Sequence, residues 1–533
     1  MENFEIIVLL LTVVTVLAVV AKKVHFPFPI LLVIIGLAVS LIPGLPVVQM
    51  NPDVVFIIFL PPILYEAAWN TSWHDFRANL RPITLAGVGL VFFTTAFVSI
   101  VAHSIIPGIG WPECFVLGAI VSPPDAVAAT SITKGLGLHK RIITIIEGES
   151  LVNDASGLIA YRYGIAAVAT GNFIFWKAGL EFLWVVSAGI AIGLLIGYAV
   201  YYLHKNIPHE PLTETTLTFL TPYISYLLAE HFHVSGVLAV VTTGLFVTYN
   251  QSEMFSHLTR MQAVATWQVV IFVLNGIVFI LIGLQLRHVL EVIREHSLSE
   301  LLIYGILVSL AVIFIRFVWV FPAAYIPRWL SPKIRKEYFS WKNVVIFSWS
   351  GMRGVVSMAA ALALPLTLDT NPFPNRDLII FLTFCVIIST LVIQGLTLPA
   401  LIKALRIPKF SIVEEEFNIR YRMINNYVVY IEENLSFGEV SDEVLAQIKS
   451  KYEIKINKMT QTPLMGTTGT EINRAEQVFN QFNEVQAKLI NVERNFLKQL
   501  KKDSKIDHEV LRKIEHELDL EEARLNSDKY EHT

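Results

Sequence analysis

The chain has 533 residues, 54% of them hydrophobic, with a formal net charge of −3 and a mean hydropathy of +0.58. That is too apolar for a soluble globular protein of this length, and it indicates a polytopic membrane protein. The charge is split: residues 410–533 hold 23 of the 44 acids but 17 of the 41 Lys and Arg, so the apolar part is net +3 and the tail net −6. Cys114 and Cys385 both fall in apolar windows, which excludes a disulfide framework and a cysteine zinc site.

Apolar windows broken by charged or Pro/Gly loops give thirteen expected spans: 4–21, 27–43, 52–69, 84–103, 113–133, 142–169, 178–203, 213–230, 234–250, 268–287, 300–326, 342–365 and 377–402. The first lacks a basic n-region and a small-residue cleavage site, so it reads as a retained span rather than a signal peptide. Lys and Arg collect in alternate connections, Lys22, Lys23, Arg77, Arg81, Lys134, Lys140, Arg141, Lys205, Arg260 and Arg328 among them. Basic loops stay cytoplasmic, so the expected N-terminus is outside and the tail inside.

In the third window Leu60-Pro61-Pro62-Ile63 precedes Glu66, an acid near the cytoplasmic end. The fifth contains Ser122-Pro123-Pro124-Asp125. Two prolines remove backbone donors in mid-span and open the helix, which lipid tolerates only where neighbours or water satisfy the freed groups.

The sixth window carries Glu149-Ser150-Leu151-Val152-Asn153-Asp154. At a rise of about 1.5 Å per residue, Asp154 lies roughly halfway across a hydrocarbon core of about 30 Å. An ionisable group there costs at least about 2.5 kcal/mol and marks function unless it only glues helices together, a task usually left to Ser, Thr or Asn. Spacing of four puts Glu149 with Asn153 and Ser150 with Asp154 on adjoining strips of one face. Arg162 lies further along and is given no role, and His231 and His233 lack a third metal ligand nearby.

Arg316 in the eleventh window requires a buried carboxylate, and Glu149 matches it best in depth. In the twelfth, Trp349-Ser350-Gly351-Met352-Arg353-Gly354 brackets a charge with glycines and is a second expected break. Broken spans seven apart suit two inverted six-helix repeats, spans one to six and eight to thirteen, with crossed discontinuous helices 5 and 12. Asp125 and Arg353 have the charges to balance the exposed helix ends. The fold class is therefore an all-α polytopic membrane protein of about 13 transmembrane helices, residues 1–408, followed by a cytoplasmic helical domain, residues 409–533. That tail shows helical spacing, for example Val478, Phe479, Phe482, Val485 and Leu489, and no phosphate-binding loop.

These motifs resemble those of the cation:proton antiporter-1 family, the sodium/proton exchangers of bacteria and eukaryotes, over about residues 5–405. Glu149 to Asp154 resembles the family's glutamate-serine-x-x-asparagine-aspartate signature, Ser122 to Asp125 its first crossing helix, Gly351 to Gly354 its glycine-x-arginine-glycine, and Leu60 to Ile63 its leucine-proline-proline segment. The proline of Pro124-Asp125-Ala126 precedes the aspartate where many members carry one after it. The resemblance implies a homodimer with a dimerisation bundle and a mobile core, elevator-like alternating access, and electroneutral exchange marked by the Asn153-Asp154 pair.

The expected function is secondary active exchange of a monovalent cation, sodium first and lithium or potassium after it, for a proton in the plasma membrane, serving pH homeostasis. Ion and proton binding is assigned to Asp154, Asn153, Ser150, Pro124 and Glu66, with the cation at Asp154; Glu149, Arg316, Asp125 and Arg353 are structural charge partners. No cofactor, nucleic-acid partner or enzymatic activity is expected. The rivals are a cation channel, for which no repeated filter loop is found, and an ion-sensing receptor that signals through its tail.

Overall fold

The computed structural model describes residues 2–407 apart from 25, 43–54, 134, 135, 137, 171–174, 208, 209, 293–296, 331–339, 369 and 370, and of residues 408–533 it describes Leu520 alone. The chain divides into two compact units, Met1–Pro408 and Lys409–Thr533. The expected helical organisation of the tail lies outside the described residues.

The first unit is built of helices. In chain order they are α1 (Glu2–Val24), α2 (Phe28–Ser40), α3 (Leu60–Asn70), α4 (Trp73–Ala78), α5 (Leu80–Thr84), α6 (Val91–Ile105), α7 (Trp111–Val121), α8 (Ala126–Thr133), α9 (Lys140–Thr170), α10 (Phe175–Asn206), α11 (Pro211–His231), α12 (Gly236–Met254), α13 (His257–Val292), α14 (Leu298–Leu330), α15 (Trp341–Trp349), α16 (Val355–Leu362), α17 (Arg376–Ser389) and α18 (Gly395–Ala404). Two-residue strands, Thr367–Leu368 and Asn371–Pro372, pair antiparallel in a loop. Among the described residues, six helical stretches are long and apolar enough to cross a membrane: Leu80–Ile105, Trp111–Thr133, Gly179–Asn206, Leu258–Arg287, Ser299–Ile326 and Arg376–Ala404. Leu183, Trp184, Leu195 and Tyr198 on α10 and Leu310 and Phe314 on α14 are all more than half exposed. Apolar surface on this scale requires lipid, so the chain is a multi-pass membrane protein.

Local chemistry sets the helix ends. Ser235 and Ser340 cap α12 and α15 by accepting from the amides of Leu238 and Lys342. Prolines occupy the first turns of α2, α3, α7 and α11, where a missing N–H costs nothing. Ahead of α3 the chain makes a wide π turn, Val55–Phe59, because Pro61 and Pro62 have no N–H to continue the ladder. The Ile58 carbonyl freed by Pro62 instead accepts from the Tyr223 hydroxyl at 3.2 Å.

Helix α9 runs between apolar clusters that hold it from several sides. Ile142, Ile145 and Ile146 join one with α14 and α15, Leu151 and Ala155 join another with α3 and α12, and Ala160 and Tyr161 join the largest, with α7, α16 and α17. The polar residues of α9 are thereby fixed against the two interrupted helices.

Candidate ion site at the crossing of two interrupted helices

The first interruption separates α7 from α8. Helix α7 stops at Val121, and Pro123 and Pro124 supply no donors. Every freed backbone group that the site uses finds a substitute. The Val121 and Ser122 carbonyls accept from Arg353 Nε at 2.9 Å and Nη2 at 3.4 Å. The Pro124 carbonyl accepts from Asn153 Nδ2 at 2.9 Å. The Asp125 amide donates to the Met352 carbonyl at 2.7 Å, and the Ala126 amide to Ser150 Oγ at 3.3 Å. Asp125 Oδ1 accepts from the Val127 amide at 2.8 Å, which places a carboxylate at the positive end of α8.

The second interruption, Ser350 to Gly354, lies between α15 and α16 and touches the first through the Asp125–Met352 bond. The Arg353 amide donates to Thr390 Oγ1 at 3.1 Å, and its Nη1 donates to the Gly351 carbonyl. The buried Arg353 guanidinium thus serves carbonyl ends on both sides of the crossing. A Cβ on Gly354 would collide with the Asp125 carboxylate, and one on Gly351 would lie 2.6 Å from Arg316 Nε, so both glycines are needed for close approach.

Arg316 and Glu149, the pair matched by depth in the sequence, are joined. Nη1 donates to Oε1 at 2.6 Å and Nη2 to Oε2 at 2.7 Å, with both side chains 1% exposed. The same guanidinium donates from Nε and Nη2 to the Phe347 carbonyl, 3.2 Å each, and lies over the Phe347 ring. This fork-to-fork geometry satisfies both charges without water.

Asp154 is different. It is 6% exposed, and among the described residues no donor reaches its carboxylate. Asn153 Oδ1, wholly buried, also lacks a hydrogen-bond partner among the described residues. A carboxylate and an amide oxygen without donors, beside a carbonyl-rich crossing, form a donor set for a hard monovalent cation.

The crossing brings together Asp154, Asn153, Ser150, Pro124, Asp125 and Arg353, with Glu149 and Arg316 alongside. Glu66, on α3, accepts from Asn70 Nδ2 at 2.5 Å and stands within electrostatic reach of Glu147 on α9. Arg162, given no role from sequence, donates through Nη2 to Glu230 Oε2 at 2.8 Å and Oε1 at 3.1 Å. Sequence reading missed that pair because the two residues are 68 apart and only the packing of α9 near α11 joins them.

The sodium/hydrogen exchanger transmembrane family matches residues 8–404. A sodium, potassium, lithium and rubidium/H(+) antiporter from Bacillus pumilus is 30% identical over 98% of this chain and 78% of its own length. The Na(+)/H(+) antiporter ApNhaP from Aphanothece halophytica is 32% identical, covering 76% of this chain and 75% of its own. The solved structure of the sodium proton antiporter MjNhaP1 from Methanocaldococcus jannaschii superposes with a TM-score of 0.60 over 76% of this chain and 99% of its own, at 18% identity, a likeness of fold. Matched over most of its apolar length, the chain belongs to the sodium/hydrogen exchanger family.

Proposed function

We propose that the chain exchanges sodium for protons across the cell membrane, one for one, with Asp154 as the group that holds either ion. The observation that carries this reading is the buried Asp154 carboxylate, without a donor, at the meeting of two interrupted helices. A proton and a cation compete for one carboxylate, and that competition is antiport. Asn153 Oδ1, Ser150 and the carbonyls of the first break complete the cation's surroundings. The B. pumilus relative, named for four alkali cations, supports a monovalent substrate and leaves lithium and potassium as further cargo.

Exchange is electroneutral because a single group beside the cation changes charge. Asn153 takes no proton near neutral pH. Glu149 is committed to Arg316, and Asp125 to the start of α8. Loaded with sodium or with a proton, the site then carries the same net charge, and the membrane potential does no net work.

The finer architecture is part of the same proposal: thirteen spans in two inverted repeats with crossed discontinuous helices, alternating access in a homodimer, the N-terminus outside, and residues 409–533 as a cytoplasmic regulatory domain. The two breaks, seven windows apart, support the repeat. Glu66, within electrostatic reach of Glu147, belongs to the same proposed ion- and proton-binding set.

The test is exchange in proteoliposomes with an imposed potassium-diffusion potential. Asp154→Asn is expected to abolish exchange while the protein remains folded. Appreciable exchange in that variant overturns the site, and an equilibrium sodium distribution that shifts with voltage overturns electroneutrality. Flux that does not saturate, or shows no proton coupling, favours a channel.

A further inference from the structure

The last apolar window is not one continuous α-helix. Helix α17 ends at Ser389, a wide π turn takes Thr390–Gln394, and α18 starts at Gly395. Prolines account for the π turn ahead of α3, but this one contains neither proline nor glycine, so its own sequence does not force it. Such turns are rare and collect at functional sites. The first residue of this one, Thr390, is wholly buried. Its hydroxyl donates to the Val386 carbonyl at 2.8 Å, with the Ile387 carbonyl at 3.1 Å, and accepts from the Arg353 amide at 3.1 Å. A hydroxyl has one proton and two lone pairs, so it fills both roles at once. The Arg353 amide lies in the non-helical stretch between α15 and α16, and the Thr390 side chain stands in for the carbonyl that a helix would offer it.

Residue 353 is where the second break meets the first. On one side of it the Met352 carbonyl accepts from the Asp125 amide at 2.7 Å; on the other, Gly354 lies so close to the Asp125 carboxylate that a Cβ would collide with it. Its own guanidinium serves the Val121 and Ser122 carbonyls. Asp125 in turn stands within electrostatic reach of Asp154, and its neighbours Pro124 and Ala126 are bonded to Asn153 and Ser150. A shift of the backbone at residue 353 therefore passes to the oxygens and charges around Asp154. Thr383 offers a contrast. It lies seven residues earlier, two turns along the same face of α17, and is equally buried, yet its hydroxyl has no hydrogen-bond partner among the described residues.

We propose that Thr390 is a positioning residue for the ion site, its hydroxyl holding the second break where Met352, Arg353 and Gly354 keep the first break in shape for the cation. The proposal rests on the assignment of the ion site to Asp154. Thr390 touches no ion and acts through the Arg353 backbone. A cation sheds water only for several oxygens set at the right distances, whereas a proton needs one carboxylate oxygen. Loosening the break therefore weakens sodium binding more than proton binding.

The experiment measures the sodium dependence of exchange in proteoliposomes for Thr390→Val, Thr390→Ser and Thr383→Val, with Asp154→Asn in parallel. Thr390→Val keeps the shape and leaves the Arg353 amide without its acceptor; the sodium KM is expected to rise by up to about tenfold with the maximal rate little changed. Thr390→Ser keeps a hydroxyl and is expected to return the KM to that of the unmodified protein. Thr383→Val makes the same change of side chain where no bond is lost, and its KM is expected to stay put. Thr390→Ala, which also lacks the hydroxyl, decides the question where Thr390→Val is not recovered folded. An unchanged KM without the Thr390 hydroxyl, an equal rise in Thr383→Val, or a rise that Thr390→Ser does not reverse overturns the proposal. Exchange that survives Asp154→Asn overturns the ion site first and removes the premise with it; an inactive Asp154→Asn beside an unchanged KM in Thr390→Val overturns this proposal alone.

Discussion

Three of the ion pairs made by α9 differ in their surroundings far more than in their geometry. Glu149–Arg316, in mid-helix, is bidentate with both side chains 1% exposed. Arg162–Glu230 closes at 2.8 Å with side chains 52% and 31% exposed, and Lys140–Asp75 at 2.7 Å with 68% and 28%. Equal distances carry unequal consequences. In the middle of the helix each charge depends on its partner, because removing one leaves the other with neither water nor counter-ion. At the ends, solvent takes over whatever the partner gives up. Asp154 sits between these extremes: it is buried like Glu149 yet has no Arg partner among the described residues, which is why it is the group proposed to take a cation or a proton.

The largest expected effect breaks the buried pair. Glu149→Gln or Arg316→Met alone is expected to cost about 3–5 kcal/mol, because each leaves an uncompensated buried charge. The double variant removes both charges and is expected to recover most of that loss. Thermal stability in detergent measures all three, and costs that simply add would show that the pair is not coupled.

Asn153 tests burial without charge. Asn153→Ala removes the donor to the Pro124 carbonyl, 2.9 Å away in the first break. A carbonyl left unpaired there is expected to cost about 1–3 kcal/mol and to weaken apparent cation affinity, since Asn153 Oδ1 is lost as well. Stability equal to that of the unmodified protein would mean the break holds its shape without this bond.

How much of this was legible in the sequence follows from where each signal lies. The interruptions are written locally, as Pro123-Pro124 and as glycines around Arg353, because prolines delete donors and glycines admit close approach. The Glu149–Arg316 pair could be reached from depth and charge, since a buried Arg has few acceptable partners. Among the described residues, helix α9 is absent from the stretches apolar enough to cross a membrane, because its acids, Asn153 and Arg162 lower its hydropathy. What the sequence could not give depends on register between distant helices: the Asn153–Pro124 bond, the electrostatic reach of Glu66 to Glu147, and the cavity shared by Tyr161 and Ser357.

At the exposed end, Arg162→Ala is expected to cost no more than about 1 kcal/mol, with Glu230→Ala the same and the double variant close to either single one. Measured beside the Glu149–Arg316 cycle, this calibrates the effect of burial on one helix. A loss comparable to that of the buried pair would mean that the α9–α11 contact is shielded from water to a degree its exposure does not suggest.

The smallest expected effect is one of pH at the other end of α9. The Lys140 ammonium, bonded to Asp75 Oδ2 at 2.7 Å, holds the Asp75 carboxyl below the usual carboxylate range, against a smaller opposing effect of partial burial. The Ser72 hydroxyl, which also accepts from the Asp75 amide, acts in the same direction as Lys140. A carboxyl whose pKa is lower folded than unfolded stabilises the fold fully above its unfolded value, and that contribution is lost as pH falls through the folded one. The window therefore lies below about pH 4, and neutral pH leaves the pair intact. Because both side chains meet solvent, Lys140→Ala and Asp75→Asn are expected to shift thermal stability by at most about 1 kcal/mol at neutral pH. Added salt is expected to shrink the difference further, by screening. The check is a melting series in detergent at pH 7 and pH 3.5, at low and high salt. The gap between wild-type protein and Asp75→Asn should narrow on acidification, and a gap that widens would mean that Asp75 stabilises the α4–α9 contact in its protonated form.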